Sequence, residues 1–232
     1  MDSGAKSYSL IFTLNSAILF PMELLIPHGY WLSFSRENPL GTLSQAQVDA
    51  AVNFLSENQS AQAFCPTGRV HFLIPDLEGR VMRSRTIAPY HEISPSIVTA
   101  GENPSVNSTE RELVEVFDLL ITNPIFDTVV LLVNPSHRER TQLLFEGLAG
   151  SRSRLGLDQV PFALQVTTDY LSKAQRTFLL SSAEQTLFDA REKKAKALMR
   201  RPMLRRIAEQ IPDPIKGLME DYFISCLPSS RS

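Results

Sequence analysis

The chain has 232 residues, 43% hydrophobic and 21% charged, with a formal net charge of −2. That balance supports one sizeable core, or one core with an appended segment, and argues against wholesale disorder. The charge is uneven: Arg191–Arg206 carries eight of the 23 Lys and Arg, and the remainder holds 15 basic residues against 24 acidic ones. The body is acidic and one segment is strongly basic, a pattern of proteins that meet an anionic partner.

The opening segment is apolar but carries Asp2, Lys6, Thr13, Asn15 and Ser16 and lacks a small-residue cleavage pattern, so it is not read as a signal peptide. No run is long and apolar enough to predict a transmembrane span. Two widely separated cysteines, Cys65 and Cys226, imply no disulfide framework, and an intracellular location, cytoplasmic or nuclear, is expected.

In chain order, the partial alternation of Leu10, Phe12 and Leu14 predicts a strand over residues 8–14. Residues 21–42 contain Pro21, Pro27, Gly29, Pro39 and Gly41 and are expected to be irregular. Within them Tyr30, Trp31, Phe34 and Arg36 could form an aromatic recognition surface, though plugging the core is the favoured reading. Ser44 and Gln47 read as a capping box, opening a helix with Val48, Ala51, Val52 and Leu55 on its buried stripe. Residues 69–88 read as a hairpin turning at Asp76–Gly79. Residues 88–108 show no period and are expected to be a long loop.

Thr109 and Glu112 read as the capping box of a helix with Leu113, Val116, Phe117 and Leu120 on one stripe, ended by Asn123-Pro124. The near-continuous apolar run Phe126–Val133 predicts a central strand covered on both faces. Ser136 and Glu139 would cap the next helix, and Val160–Val166 reads as another buried strand. A long helix is expected from Asp169 or Ser172 to about Arg200, with Leu179, Leu180, Ala183, Leu187, Ala190, Ala197 and Leu198 as its stripe. Pro202 breaks it, and Asp213-Pro214 starts a last helix.

The expected fold is therefore α/β: a mixed, partly parallel sheet flanked by helices, with an all-helical C-terminal extension. The expected division is a core domain over residues 1–168 and an extension over residues 169–232 that packs on it.

No P-loop, dinucleotide-binding glycine motif, nucleophile elbow or zinc-helix motif occurs, so no cofactor or metal is named by the sequence. Whether the chain is an enzyme stays open. Two regions can carry function. The basic stretch places Lys193, Lys196 and Arg200 on one helix face, with Arg201, Arg205 and Arg206 close behind. These residues predict a non-enzymatic binding or regulatory protein, with nucleic acid or a nucleoprotein complex as preferred partner and an anionic membrane surface or self-association as alternatives. A further alternative is an assembly subunit that uses its amphipathic C-terminal helices.

The competing expectation is a hydrolase or phosphate-handling enzyme. Its site would lie at the carboxyl ends of the strands, where open α/β sheets gather ligands. Catalytic candidates there are His137, Asp169 and Asp76, with Ser136, His137 and Arg138 placed to bind an anion at a helix N-terminus.

Overall fold

The computed structural model describes residues 22–30, 39–70, 76–87 and 94–199. The expected strand over residues 8–14, and Pro202 with the helix beyond it, lie outside them, as do Trp31, Phe34 and Arg36.

Among the described residues five strands form one sheet: β1 (Glu23–Pro27), β2 (Gln62–Cys65), β3 (Val98–Ala100), β4 (Thr128–Val133) and β5 (Phe162–Val166). Their spatial order is β3-β2-β1-β4-β5, and all four pairings are parallel. Parallel neighbours need crossovers, which the helices supply. Those between the strands are α1 (Thr42–Glu57), α2 (Glu78–Ile87), α3 (Thr109–Thr122), α4 (Arg138–Gly147) and α5 (Ala149–Arg154). After β5 come α6 (Lys173–Ser181) and α7 (Ala183–Met199). The α/β class is thus that expected from the alternating order of apolar runs.

Alternation along each strand divides the core in two. Leu25, Ala63, Val130 and Leu132 face α1, α2, Leu179 of α6 and Phe188 of α7. Leu24, Ile26, Phe64, Val129 and Leu131 face α3, α4 and Leu157. The stripe expected on α3 is the one that packs: Leu113, Val116, Phe117 and Leu120 are all buried there. Phe117 meets Phe162 edge to face at 5.8 Å between ring centroids. The central run is β4, covered on both faces as predicted.

Several elements differ from the sequence expectation. Inside the segment read as irregular, Glu23–Pro27 is the strand at the middle of the sheet. The second arm of the expected hairpin is not a strand: Glu78–Ile87 is helix, and among the described residues the antiparallel contact there is one bridge, Val70 with Leu77. The loop over 88–108 contains β3. The strand at Phe162–Val166 lies at the sheet edge and is only half-buried.

The expected long helix is two. Ser172 caps α6 through a reciprocal box with Gln175, and Ser182, with ψ 147°, interrupts the helical path before α7. That break shifts the phase of everything after it. Leu179 stays buried, but Leu180 and Leu187 are 52% and 72% exposed, and Gln185, Phe188, Glu192 and Ala195 form the inward face of α7.

Caps also shift. Ser44 lies inside α1 and bonds elsewhere, and Ser108 caps α3 by accepting from the Arg111 amide at 3.3 Å. Asn134, not Ser136, caps the turn before α4, accepting from the Ser136 amide at 3.0 Å.

A candidate acid–base site at the switch point of the sheet

The chain runs outward from β1 to β3, then returns to β1's other side for β4 and β5. The strand order therefore reverses between β1 and β4, and the carboxyl ends of that pair are where such a sheet opens a crevice. His28 follows β1 directly, and Asn134–His137 follows β4. The N-terminus of α3 supplies Thr109 and Glu112 beside them, and α7 supplies Gln185, Phe188 and Glu192.

At the centre is the Thr109 hydroxyl. It lies 3.0 Å from His28 Nε2 and 3.0 Å from His137 Nε2. Both rings are backed by a carboxylate: His28 Nδ1 contacts Glu112 Oε2, and His137 Nδ1 is 3.1 Å from Glu192 Oε1. The Arg140 guanidinium reaches the same Glu192 oxygen, also at 3.1 Å. The two imidazoles stack at 5.0 Å between centroids and 25° between planes. Tyr30 packs edge-on against both, and its hydroxyl accepts from the Asn134 amide at 2.6 Å.

All of this is dry. His28, Thr109, Glu112, His137 and Glu192 are each at most 5% exposed. Burial holds the His137 imidazole down at about 3, with the charges of Arg140 and His28 acting in the same direction and Glu192 opposing them. Burial raises the Glu192 carboxyl, but contact with His137 and the Arg140 charge outweigh it and leave the group below its usual range. His137 is therefore neutral and Glu192 ionised near neutral pH. Burial also lifts the Tyr30 hydroxyl well above its ordinary value, so it stays protonated.

Not every polar atom is satisfied. Beyond the contacts with the rings, neither oxygen of Glu112 has a hydrogen-bond partner, and nor does His137 Nδ1, Glu192 Oε2 or Thr141 Oγ1. His28, Glu112 and Thr141 line a small void between β1, β4 and α3. A charged carboxylate with so few partners is costly inside a protein, and such groups concentrate at sites with a task.

The polar line continues along the same edge. At the end of β2, Glu78 accepts from Ser44 Oγ at 2.6 Å and Thr67 Oγ1 at 3.1 Å. Gly29 is needed there because a Cβ would stand 2.6 Å from Thr67 Cγ2 and 2.9 Å from Glu78 Oε2. Beyond β4, Gln185 and Asn134 exchange amide hydrogen bonds at 2.7 and 3.2 Å. An open groove of about 390 Å³ lies outside Glu192, lined also by Ser136, Asp189, Lys193, Lys196 and Ala197.

Of the sequence candidates, His137 is in the cluster, but its carboxylate is Glu192 rather than Asp169 or Asp76. Asp76 bonds the Leu77 amide at 2.9 Å and pairs with Arg80 at 3.7 Å, on the β2–β3 side. Asp169 is exposed in the turn after β5. Strands β2 and β5 are three places apart, roughly 14 Å at the usual strand spacing, so these two aspartates do not share a site.

The anion site expected at Ser136, His137 and Arg138 is already served from within: Ser136 Oγ donates to Asp189 of α7, His137 is buried, and Arg138 points to solvent. On the basic stretch, Lys193 is exposed and Lys196 pairs with Glu139 at 3.3 Å, whereas Arg200, Arg201, Arg205 and Arg206 lie outside the described residues.

Sequence reasoning missed His28, Thr109, Glu112 and Glu192. Thr109 and Glu112 were absorbed into a capping box, and His28 had no strand before it to mark it as a strand end.

Among the described residues no group of three or more His, Cys, Asp or Glu side chains is set to hold a metal ion, and no helix is long and apolar enough to cross a membrane. No family model matches the chain, and no curated protein or solved structure does either.

Proposed function

We propose that the protein is an enzyme of the hydrolytic or phosphate-handling type, with its acid–base centre at Thr109, His28 and His137. One observation carries this reading: a single hydroxyl lies 3.0 Å from two imidazole nitrogens, and each ring has a carboxylate against its other nitrogen. Hydroxyl, imidazole and carboxylate in that order is how proteins activate a weak oxygen nucleophile and steer its proton. The position favours the same reading. Thr109 begins α3, where the aligned peptide dipoles stabilise developing negative charge.

The centre is closed in this structure, with α7 packed over the end of β4 through Gln185, Phe188 and Glu192. Turnover on this reading requires α7 to move outward at the groove beside Lys193 and Ser136.

The test is a panel of chromogenic carboxylic esters, phosphate monoesters and phosphate diesters, assayed with the wild type and with His137→Gln. Turnover of at least one class, falling ~100-fold or more in the variant, is expected for loss of a general base. Rates equal to background throughout, or equal in the two proteins, overturn the reading.

A second reading rests on the exposed face of α7. Lys193 is exposed there and leads into the arginines from residue 200, which suits a nucleic acid or a nucleoprotein complex. Oligonucleotide affinity that falls steeply with salt, and is lost when Lys193, Arg200 and Arg201 become Ala, is the expected result. No binding at low salt removes it.

A further inference from the structure

We propose that the cluster holds one proton more than two neutral rings would, that His28 carries it, and that Thr109 relays it to His137. The first part follows from counting hydrogens. A threonine hydroxyl has one hydrogen to donate. Each Nδ1 faces a carboxylate and so keeps its hydrogen, which in a neutral imidazole leaves Nε2 as a bare acceptor. Two bare Nε2 atoms around one hydroxyl would leave one lone pair facing oxygen lone pairs at 3.0 Å, among side chains at most 5% exposed. Turning one ring to its other tautomer only moves the conflict, because a bare Nδ1 would then face a carboxylate. A second hydrogen on one ring removes the conflict: that ring donates to Thr109, and Thr109 donates to the other.

Charge balance selects the ring. Glu192, from α7, is already neutralised by Arg140 of α4 at 3.1 Å. Glu112, from α3, has an imidazole against it and no other hydrogen-bond partner on either oxygen. Tyr30 faces both rings and stays neutral. With the extra proton on His28 the cluster becomes two neutral halves, Glu112 with His28 and Glu192 with Arg140, joined by an uncharged Thr109 and His137. With it on His137, three charges would crowd one half and Glu112 would be a bare buried anion.

The same chain of bonds is a conduit. As His28 Nε2–H breaks, Thr109 Oγ1–H forms; as the original Thr109 O–H breaks, His137 Nε2–H forms. Threonine is regenerated with its hydrogen exchanged, and the positive charge has crossed the 5.0 Å between the stacked rings. The chain of bonds thereby joins a proton donor, His28, to a neutral acceptor, His137. The catalytic use of this relay rests on the hydrolytic reading above, but the relay itself does not.

The experiment is nitrogen NMR of the full chain labelled with ¹⁵N-histidine at pH 7, with assignments from His28→Gln and His137→Gln. The expected spectrum shows both nitrogens of His28 in the protonated range, and His137 with one protonated nitrogen and one shifted far downfield as a bare acceptor. Thr109→Ser keeps that pattern. Thr109→Val loses the hydrogen-bonded Nε2 proton of His28 while the far-UV circular dichroism stays unchanged. Two neutral rings, an imidazolium at His137, or a Thr109→Ser spectrum without the pattern overturns the proposal. Because no substrate is involved, the NMR result and the turnover panel fail separately.

Discussion

Acid should weaken this protein in a window set by one buried histidine. In the folded chain His137 resists protonation until about pH 3, whereas an unfolded histidine titrates at its ordinary value of 6.5. Between those values the unfolded chain binds more protons than the folded one, so stability rises with pH and is lost as pH falls. The slope for one group is about 1.4 kcal/mol per pH unit, so moving from pH 6.5 to 5 costs about 2 kcal/mol. Glu192, also held below its ordinary value of 4.5, acts in the same direction only at lower pH.

A loss of about 2 kcal/mol is a large share of the 5–15 kcal/mol typical of a domain, and urea unfolding followed by far-UV circular dichroism resolves it readily. The wild type should lose stability steadily from pH 6.5 to 5, and His137→Gln should be nearly flat there. A wild type equally stable at both ends, or a variant that falls as steeply, refutes the placement of a neutral, buried His137 at the centre of the site.

Other perturbations separate the parts. Arg140→Met leaves Glu192 without its cation, and breaking such a buried pair costs roughly 3–5 kcal/mol in urea unfolding. Adding Glu192→Gln should recover more than half of that loss. Phe117, fully buried against Phe145 and Phe162, should cost about 3–5 kcal/mol on truncation to Ala, read as a fall in unfolding midpoint. Cys65 is buried with its thiol pushed up to about 12, so in a Cys226→Ser background it should resist iodoacetamide at pH 8 until the chain is unfolded.

The fold was legible where pattern was strong. Phe126–Val133 is long, apolar and β-branched, and α3 carries a clean stripe behind a polar cap, so both were read in the right state. The middle strand was lost because five residues ending in Pro27 are too short to show a period and sit among loop-forming residues. In Glu78–Ile87 the buried side chains Glu78, Val81, Met82 and Thr86 include two polar ones, so helical periodicity is weak and the arginines and β-branched residues suggested strand.

These losses explain the partial view of the site. The rule that ligands gather at strand ends found His137 because β4 was recognised. The same rule would have found His28 had β1 been recognised. Glu192 could not be seen as buried, because the break at Ser182 resets the helical phase and a wheel drawn through it turns Leu187 inward and Glu192 outward. Thr109 and Glu112 look like a capping box in sequence. Only the fold shows that Ser108 makes the cap and leaves Thr109 for the histidines.

The measurement that bears most directly on the central claim is steady-state hydrolysis of the best panel substrate by a Thr109 series. If Thr109 is the hydroxyl at the heart of an acid–base centre, Thr109→Val should lose ~100-fold or more in kcat, and Thr109→Ser should retain most of it. A valine variant that folds and turns over like the wild type would contradict the account.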